Sequence, residues 1–400
     1  MLQDFHNHIA MLSLNHFKNL PKRGKPNVIK HEWTVLSCII QENRLTNDFQ
    51  VVALGTGSKC IGKAKMSSKG DILNDSHAEI ICRRAFLRYV YEELKKRNGD
   101  VFKVDSNDCL LNSWIMFHFF TTHMPCGDAA IFSKQSSDEF GEIVQPLQTD
   151  YEEAETKRRK VVCGDIYRTG AKCLLQSTIQ DAHSSGAEYH QLGAVRTKPG
   201  RGDPTLSLSC SDKLAKWCHV GIQGALLSLI VKNPICLSSF TVAGDTPFSK
   251  ESLSRAIYGR LKVPHPYCIN DIAIGQASIG FEFHKTDSRV PCPSSIIWCK
   301  TTMEPLQVAV DGLKQGVTKK DRTTRAARVT ISKIELFRLF LETIDILRLP
   351  HLKELQKCEV YYDETKKKAV QYQRNISVLM DEGFKCWTLK NKNLEHFSMY

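Results

Sequence analysis

Three short stretches, far apart in the chain, carry groups able to do chemistry: His77-Ala78-Glu79, Pro125-Cys126-Gly127 and Ser209-Cys210-Ser211-Asp212-Lys213. Together they supply one imidazole, two thiolates and one spare carboxylate. His77, Cys126 and Cys210 suit three positions of a tetrahedral Zn²⁺ ion and leave the fourth to water. Glu79, outside the ligand set, would move protons to and from that water. Each motif also has a plainer reading. Ser76 and Glu79 fit a capping box, with Ser76 as the cap. Either cysteine alone fits a buried thiol.

The positioning elements decide between these readings. Residues two apart point about 200° apart around a regular helix, so His77 and Glu79 share a site only at a helix's first turn. Apolar residues Ile81, Ala85, Phe86, Tyr89, Val90 and Leu94 recur at helical spacing and predict a helix over 76–97. Cys126 follows an apolar run over 114–120, read as a buried strand, and Pro125, which opens a short helix. Cys210 precedes a predicted helix over 212–231. All three candidate ligands thus fall at helix starts, where unpaired backbone N–H groups favour a thiolate.

Further strands are predicted over 33–40, 50–55 and 235–244, and further helices around Leu253–Leu261, Ile331–Ile344 and 362–380. Strands mixed with helices imply an α/β fold with a mainly helical C-terminal extension. Residues 1–30 read as an N-terminal arm and 31–400 as one domain. A polar, acidic stretch over 133–160 reads as a mobile surface insertion, ending in Lys157-Arg158-Arg159-Lys160, either a nuclear signal or a solvated run.

Across 400 residues the chain carries a net charge of +12, which suits a polyanionic partner. Polar residues Asp4, His6, Asn7 and His8 interrupt the N-terminus, so no secretory h-region forms. Residues 220–231 are too short to span a bilayer. A reducing compartment, cytoplasmic or nuclear, follows, with the fifteen cysteines as thiols or metal ligands.

The common zinc deaminase signature places Cys-x-x-Cys after the proline. Here 84 positions separate Cys126 from Cys210. That gap resembles the adenosine deaminases acting on RNA, in which a substrate-binding insertion parts the two cysteines. The stretch from Gly70 to Glu79, followed by Arg83-Arg84, resembles the family's first motif, and Ser209 to Lys213 its third. Lys22-Arg23-Gly24-Lys25-Pro26, His31-Glu32-Trp33-Thr34 and Asp165 to Cys173 resemble the tRNA branch, and the likeness runs from about Leu20 to the C-terminus.

The resemblance implies a cytidine-deaminase-like mixed sheet flanked by helices. It also implies zinc-dependent conversion of adenosine to inosine in tRNA, at the adenosine just 3′ of the anticodon (position 37) of alanine tRNA. One Zn²⁺ would sit on His77, Cys126 and Cys210, with Glu79 as proton carrier. Arg196, Gly200, Arg201 and Gly202 fall in the family's base-flipping loop, where editing relatives carry glutamate at Arg201's place. The stretch also reads as an exposed basic turn.

The resemblance further implies buried inositol hexakisphosphate, held by Arg83, Arg84, Lys198, Lys213, Lys216, Trp217, Tyr362, Lys366, Tyr372, Trp387 and Lys390. No obligate protein partner and no membrane are implied. Rival readings are a double-stranded pre-mRNA editor, a non-catalytic RNA-binding relative and a free-nucleoside deaminase.

Overall fold

Alternation along the strands builds the core. In Leu36–Asn43 (β1), Cys38 and Ile40 pack into one hydrophobic cluster and Ile39 into another. The same division recurs at Leu54 and Ala53, Phe120 and Phe119, and Ile296 and Ile297. Successive strand residues point to opposite faces, so a sheet apolar on both faces needs helices on both. In Asp48–Thr56 (β2) the register skips from Ile39↔Ala53 to Ile40↔Val51, and the bulge turns Val52 and Ala53 to one side.

The computed structural model describes residues 2–104, 108–132, 170–174, 181, 190–199, 203–260, 272–356, 359–385, 387 and 392–399. Six more strands complete the main sheet: Ile115–Thr121 (β3), Ser239–Val242 (β4), Ala273–Gln276 (β5), Ser294–Cys299 (β6), Leu306–Val310 (β7) and Leu313–Lys314 (β8). They lie in the order β5-β4-β3-β1-β2-β6-β7-β8. The β3-β4-β5 edge is parallel and the remaining pairs are antiparallel.

Leu2–Asn19 (α1) packs its buried residues His6, Ile9, Ala10, Ser13 and Phe17 on one face. The expected arm therefore begins as a helix. Its buried stripe includes histidine and serine, so apolar spacing alone under-reads it. Ala78–Lys95 (α2) covers the other face, with Ile81, Ala85 and Phe86 fully buried.

Cys210–Val220 (α3) is shorter than predicted, because Gly221 takes φ 85° and ends it. Lys333–Leu347 (α4), Tyr362–Lys367 (α5) and Val370–Glu382 (α6) form the helical C-terminal region. The predicted first strand is split. Glu32–Trp33 pairs instead with Val290–Pro291, outside the main sheet.

The 133–160 insertion and the basic tetrad lie outside the described residues. No helix among the described residues is long and apolar enough to cross a membrane. Cys236 is disulfide-bonded, contrary to the expectation of thiols throughout, whereas the other described cysteines are free.

Candidate metal and catalytic site

His77 ends the short strand Asp75–His77 and caps α2 with extended backbone, and Glu79 occupies the helix's second position. The first-turn requirement is met. The capping box is not: Ser76 lies in the strand, and no side chain caps the helix. Cys126 follows β3 and precedes a single 3₁₀ turn, Asp128–Ala130. Cys210 opens α3 behind Ser209, whose hydroxyl accepts the Asp212 N–H.

Two close approaches bring the cysteines together. Gly127, at φ 99°, lies so near Ser209 that a Cβ would fall 2.4 Å from its hydroxyl. Ser211 donates its hydroxyl to the Cys126 carbonyl at 2.9 Å, and that carbonyl also accepts the Ser211 N–H at 3.0 Å.

Both cysteines carry an aspartate two residues on, and both aspartates are buried ion-pair partners. Arg255 holds Asp128 at 3.0 Å, and Arg260 holds Asp212 at 2.6 Å. The two arginines come from one turn of chain. They fix both cysteine-bearing turns from a single element.

His77 Nδ1 lies 3.6 Å from Cys210 Sγ and 4.0 Å from Cys126 Sγ. With Zn–N near 2.05 Å and Zn–S near 2.3 Å, a tetrahedral N···S edge is about 3.6 Å. The three donors fit that edge with shifts of a few tenths of an ångström. The Cys210 N–H points at Cys126 Sγ at 3.3 Å. A hydrogen bond from Cys210 holds the Cys126 thiol well below its ordinary range, and Lys198 and His77 add to this against burial. Burial, then Cys126 itself, pushes Cys210 up. One thiol of the pair is therefore ready to bind as thiolate.

Glu79 is 3% exposed, and its Oε2 has no hydrogen-bond partner among the described residues. Burial raises its carboxyl above the ordinary value. Together with His77 and Cys126 it lines a cavity of about 530 Å³, whose walls also include Trp33, Lys59, Lys65, Asp203 and Lys285. A buried carboxyl whose pKa is raised, beside an open cavity, can relay protons.

Asp75, two residues before His77, was given no role from sequence. Its buried carboxylate accepts Lys198 Nζ at 3.0 and 2.9 Å, a close contact from Lys213, and the His77 N–H at 3.1 Å. Burial opposes its ionisation, yet Lys198 and Lys213 hold it well below the usual carboxylate range. Cys60 also approaches, with Sγ 3.2 Å from Asp75 Oδ1. Cys60, Asp75 and His77 form a second possible ligand group, but both lysines already occupy the carboxylate.

Beyond Asp75 lies a basin of cations. Arg83 donates Nε to the Ile222 carbonyl and lies over Trp217. Arg84 donates Nε to the Ile331 carbonyl. Lys216 lies over Trp387, and Lys366 lies over Tyr362 while pairing with Glu395. Burial lowers both arginines. Burial, then Lys366 and Arg83, pushes Lys216 down to about 7. Tyr372 faces Arg83 and Lys366, which partly offset the rise that burial causes in it. Lys390 lies outside the described residues.

The loop residues stand differently from the expectation. Gly200, Arg201 and Gly202 lie outside the described residues. Arg196 is fully buried, with its guanidinium on Asp181 at 2.6 Å and on the Gln191 carbonyl at 2.8 Å. It cannot reach RNA as placed, and it props the loop instead.

The adenosine-deaminase (editase) domain profile matches residues 53–391. The chain is 36% identical to tRNA-specific adenosine deaminase 1 of Drosophila melanogaster, over 98% of this chain and 96% of that one. It is 32% identical to the Homo sapiens protein of the same name, over 95% and 97%. Against the double-stranded RNA-specific adenosine deaminase of Mus musculus, identity is 27% over 98% of this chain but only 32% of the other. The chain is an adenosine deaminase and belongs to the adenosine-deaminase (editase) family.

Proposed function

We propose that the protein hydrolyses adenosine to inosine in tRNA, at the adenosine just 3′ of the anticodon of alanine tRNA. The observation that carries this is the convergence of the His77, Cys126 and Cys210 donors, with His77, Cys126 and Glu79 lining one cavity and Glu79 Oε2 without a hydrogen-bond partner among the described residues. Relatives named tRNA-specific deaminases match across nearly their whole length, whereas the double-stranded RNA enzyme is matched over a third of its own, which favours tRNA. The charge of +12 fits a polyanion better than a free nucleoside.

His77, Cys126 and Cys210 would hold one zinc ion, whose Lewis acidity makes a water reactive near neutral pH. Glu79 would take one proton from water and deliver it to adenine N1 as the oxygen adds to C6. It would then take the remaining proton of that oxygen and give it to the amine, which leaves as ammonia while the C6 carbonyl forms. A carboxyl raised by burial gives up and regains its proton more readily near neutral pH than an exposed one.

The cation basin fits a buried polyanion. Lys216, Lys366, Arg83 and Arg84 converge with few carboxylates, and buried like charges need a counter-anion. Inositol hexakisphosphate is the anion we propose there. Lys198 and Lys213, bound to Asp75, would link the basin to the zinc ligands. Wild-type protein incubated with alanine tRNA, double-stranded RNA and free adenosine should form inosine only in the tRNA; inosine in duplex RNA alone would overturn the substrate assignment.

A further inference from the structure

Trp33 stands on the cavity wall without a structural reason to be there. It is half-buried and packs into none of the hydrophobic clusters. No other aromatic ring among the described residues contacts it. Among the described residues, the group over its ring is the Lys285 ammonium, 5.9 Å from the centroid. A large apolar face left on a catalytic cavity signals something that covers it.

The backbone beneath Trp33 is held firmly. Trp33 pairs with Pro291, its carbonyl accepts the Cys292 N–H at 2.8 Å, and Thr34 donates to the Phe283 carbonyl at 3.1 Å. An aromatic on a fixed support stacks a base with little loss of freedom. Lys285 and Lys65 are exposed and Lys59 is half-exposed. None of the three ion-pairs with a carboxylate among the described residues, and all three line the same cavity.

We infer that Trp33 and Lys285 form a stacking subsite for a nucleotide adjoining the target adenosine, the indole taking the base and the ammonium its phosphate. This rests on the RNA reading above. A target base that leaves its stack deprives its neighbours of a partner, and an aromatic face replaces it whatever the base. Lysine beside the ring neutralises the phosphate that travels with the base.

The test uses alanine tRNA carrying 2-aminopurine on the 5′ or the 3′ side of the target, and follows both fluorescence and inosine formation. Wild-type protein and Trp33→Phe should quench one of the two probes on binding. Trp33→Ala should not quench it, and its KM should rise about tenfold or more, the range one base stack represents. Lys285→Ala should raise KM and lower the salt dependence of binding by about one counterion.

Zinc content and melting temperature report folding. Should Trp33→Ala melt early, folded Lys285→Ala decides the matter. Wild-type KM and wild-type quenching in Trp33→Ala, or a wild-type salt slope in Lys285→Ala, would overturn the subsite. Wild-type protein that forms no inosine in the unlabelled tRNA refutes the RNA reading itself.

Discussion

The two ends of one helical turn do opposite things here. The starts of α2 and α3 bring His77, Glu79 and Cys210 together, and His77 and Glu79 face an open cavity. One turn further along the same helices stand Arg83, Arg84, Lys213 and Lys216, turned into the interior and toward one another. The first region is a set of donors complementary to a cation. The second is a set of cations complementary to an anion. Asp75 joins them, because it bonds the His77 backbone on one side and Lys198 and Lys213 on the other. A charge introduced at either end is felt across that carboxylate.

The sharpest break in this comparison comes at the donors. Cys126→Ser or His77→Ala removes one of the three proposed zinc ligands. Metal content should fall from one zinc per chain toward none, with inosine formation lost, as read by elemental analysis and tRNA assay. Removing zinc from the wild type with a chelator should do the same, reversibly.

Asp75→Asn comes next. It leaves Lys198 and Lys213 without their shared counter-charge in a buried site, and breaking such a pair costs roughly 3–5 kcal/mol. Thermal unfolding should show it directly, and a melting temperature equal to wild type would mean the two regions are not joined as described.

The difference between the regions also explains what the sequence disclosed. The donor side was legible because each ligand lies in a contiguous motif and its chemistry allows few uses. His77 and Glu79 two apart already demanded a helix's first turn, and the structure places them there. The cation side was named only through resemblance: Arg83, Lys216, Lys366 and Trp387 come from four segments, and nothing local in any of them reports the others.

Arg196 misled for the same reason. A basic residue in a glycine-rich loop reads as exposed until Asp181, fifteen positions earlier, is seen to bury it. Asp128 and Asp212 were missed although each lies two residues after a ligand cysteine. The repeated Cys-x-Asp spacing was the available signal, but their partners Arg255 and Arg260 are distant in sequence. Helix α1 was read as an arm because its buried face includes His6 and Ser13.

Arg255→Met should sharpen the donor side more gently. It frees the turn that carries Cys126 without touching a ligand, and loss of such outer support typically weakens metal binding 10–100-fold. Competition with a zinc indicator would measure it.

The smallest effect concerns Lys216. Its folded value of about 7 lies below its ordinary 10.5. Between those values the unfolded chain binds more protons, so protein stripped of polyphosphate loses stability as pH falls from about 10 to 7. Lys216→Met should therefore melt higher than wild type near pH 7 when stripped, and the gain should shrink toward pH 10. In the presence of inositol hexakisphosphate the order should reverse.

The central claim is that three donors hold the metal while Glu79, beside them, carries the protons. Purified Glu79→Gln, analysed for zinc and for inosine in alanine tRNA, tests both halves in one sample. The account predicts one zinc per chain, wild-type RNA binding and no detectable inosine. Substantial inosine formation by Glu79→Gln would contradict it.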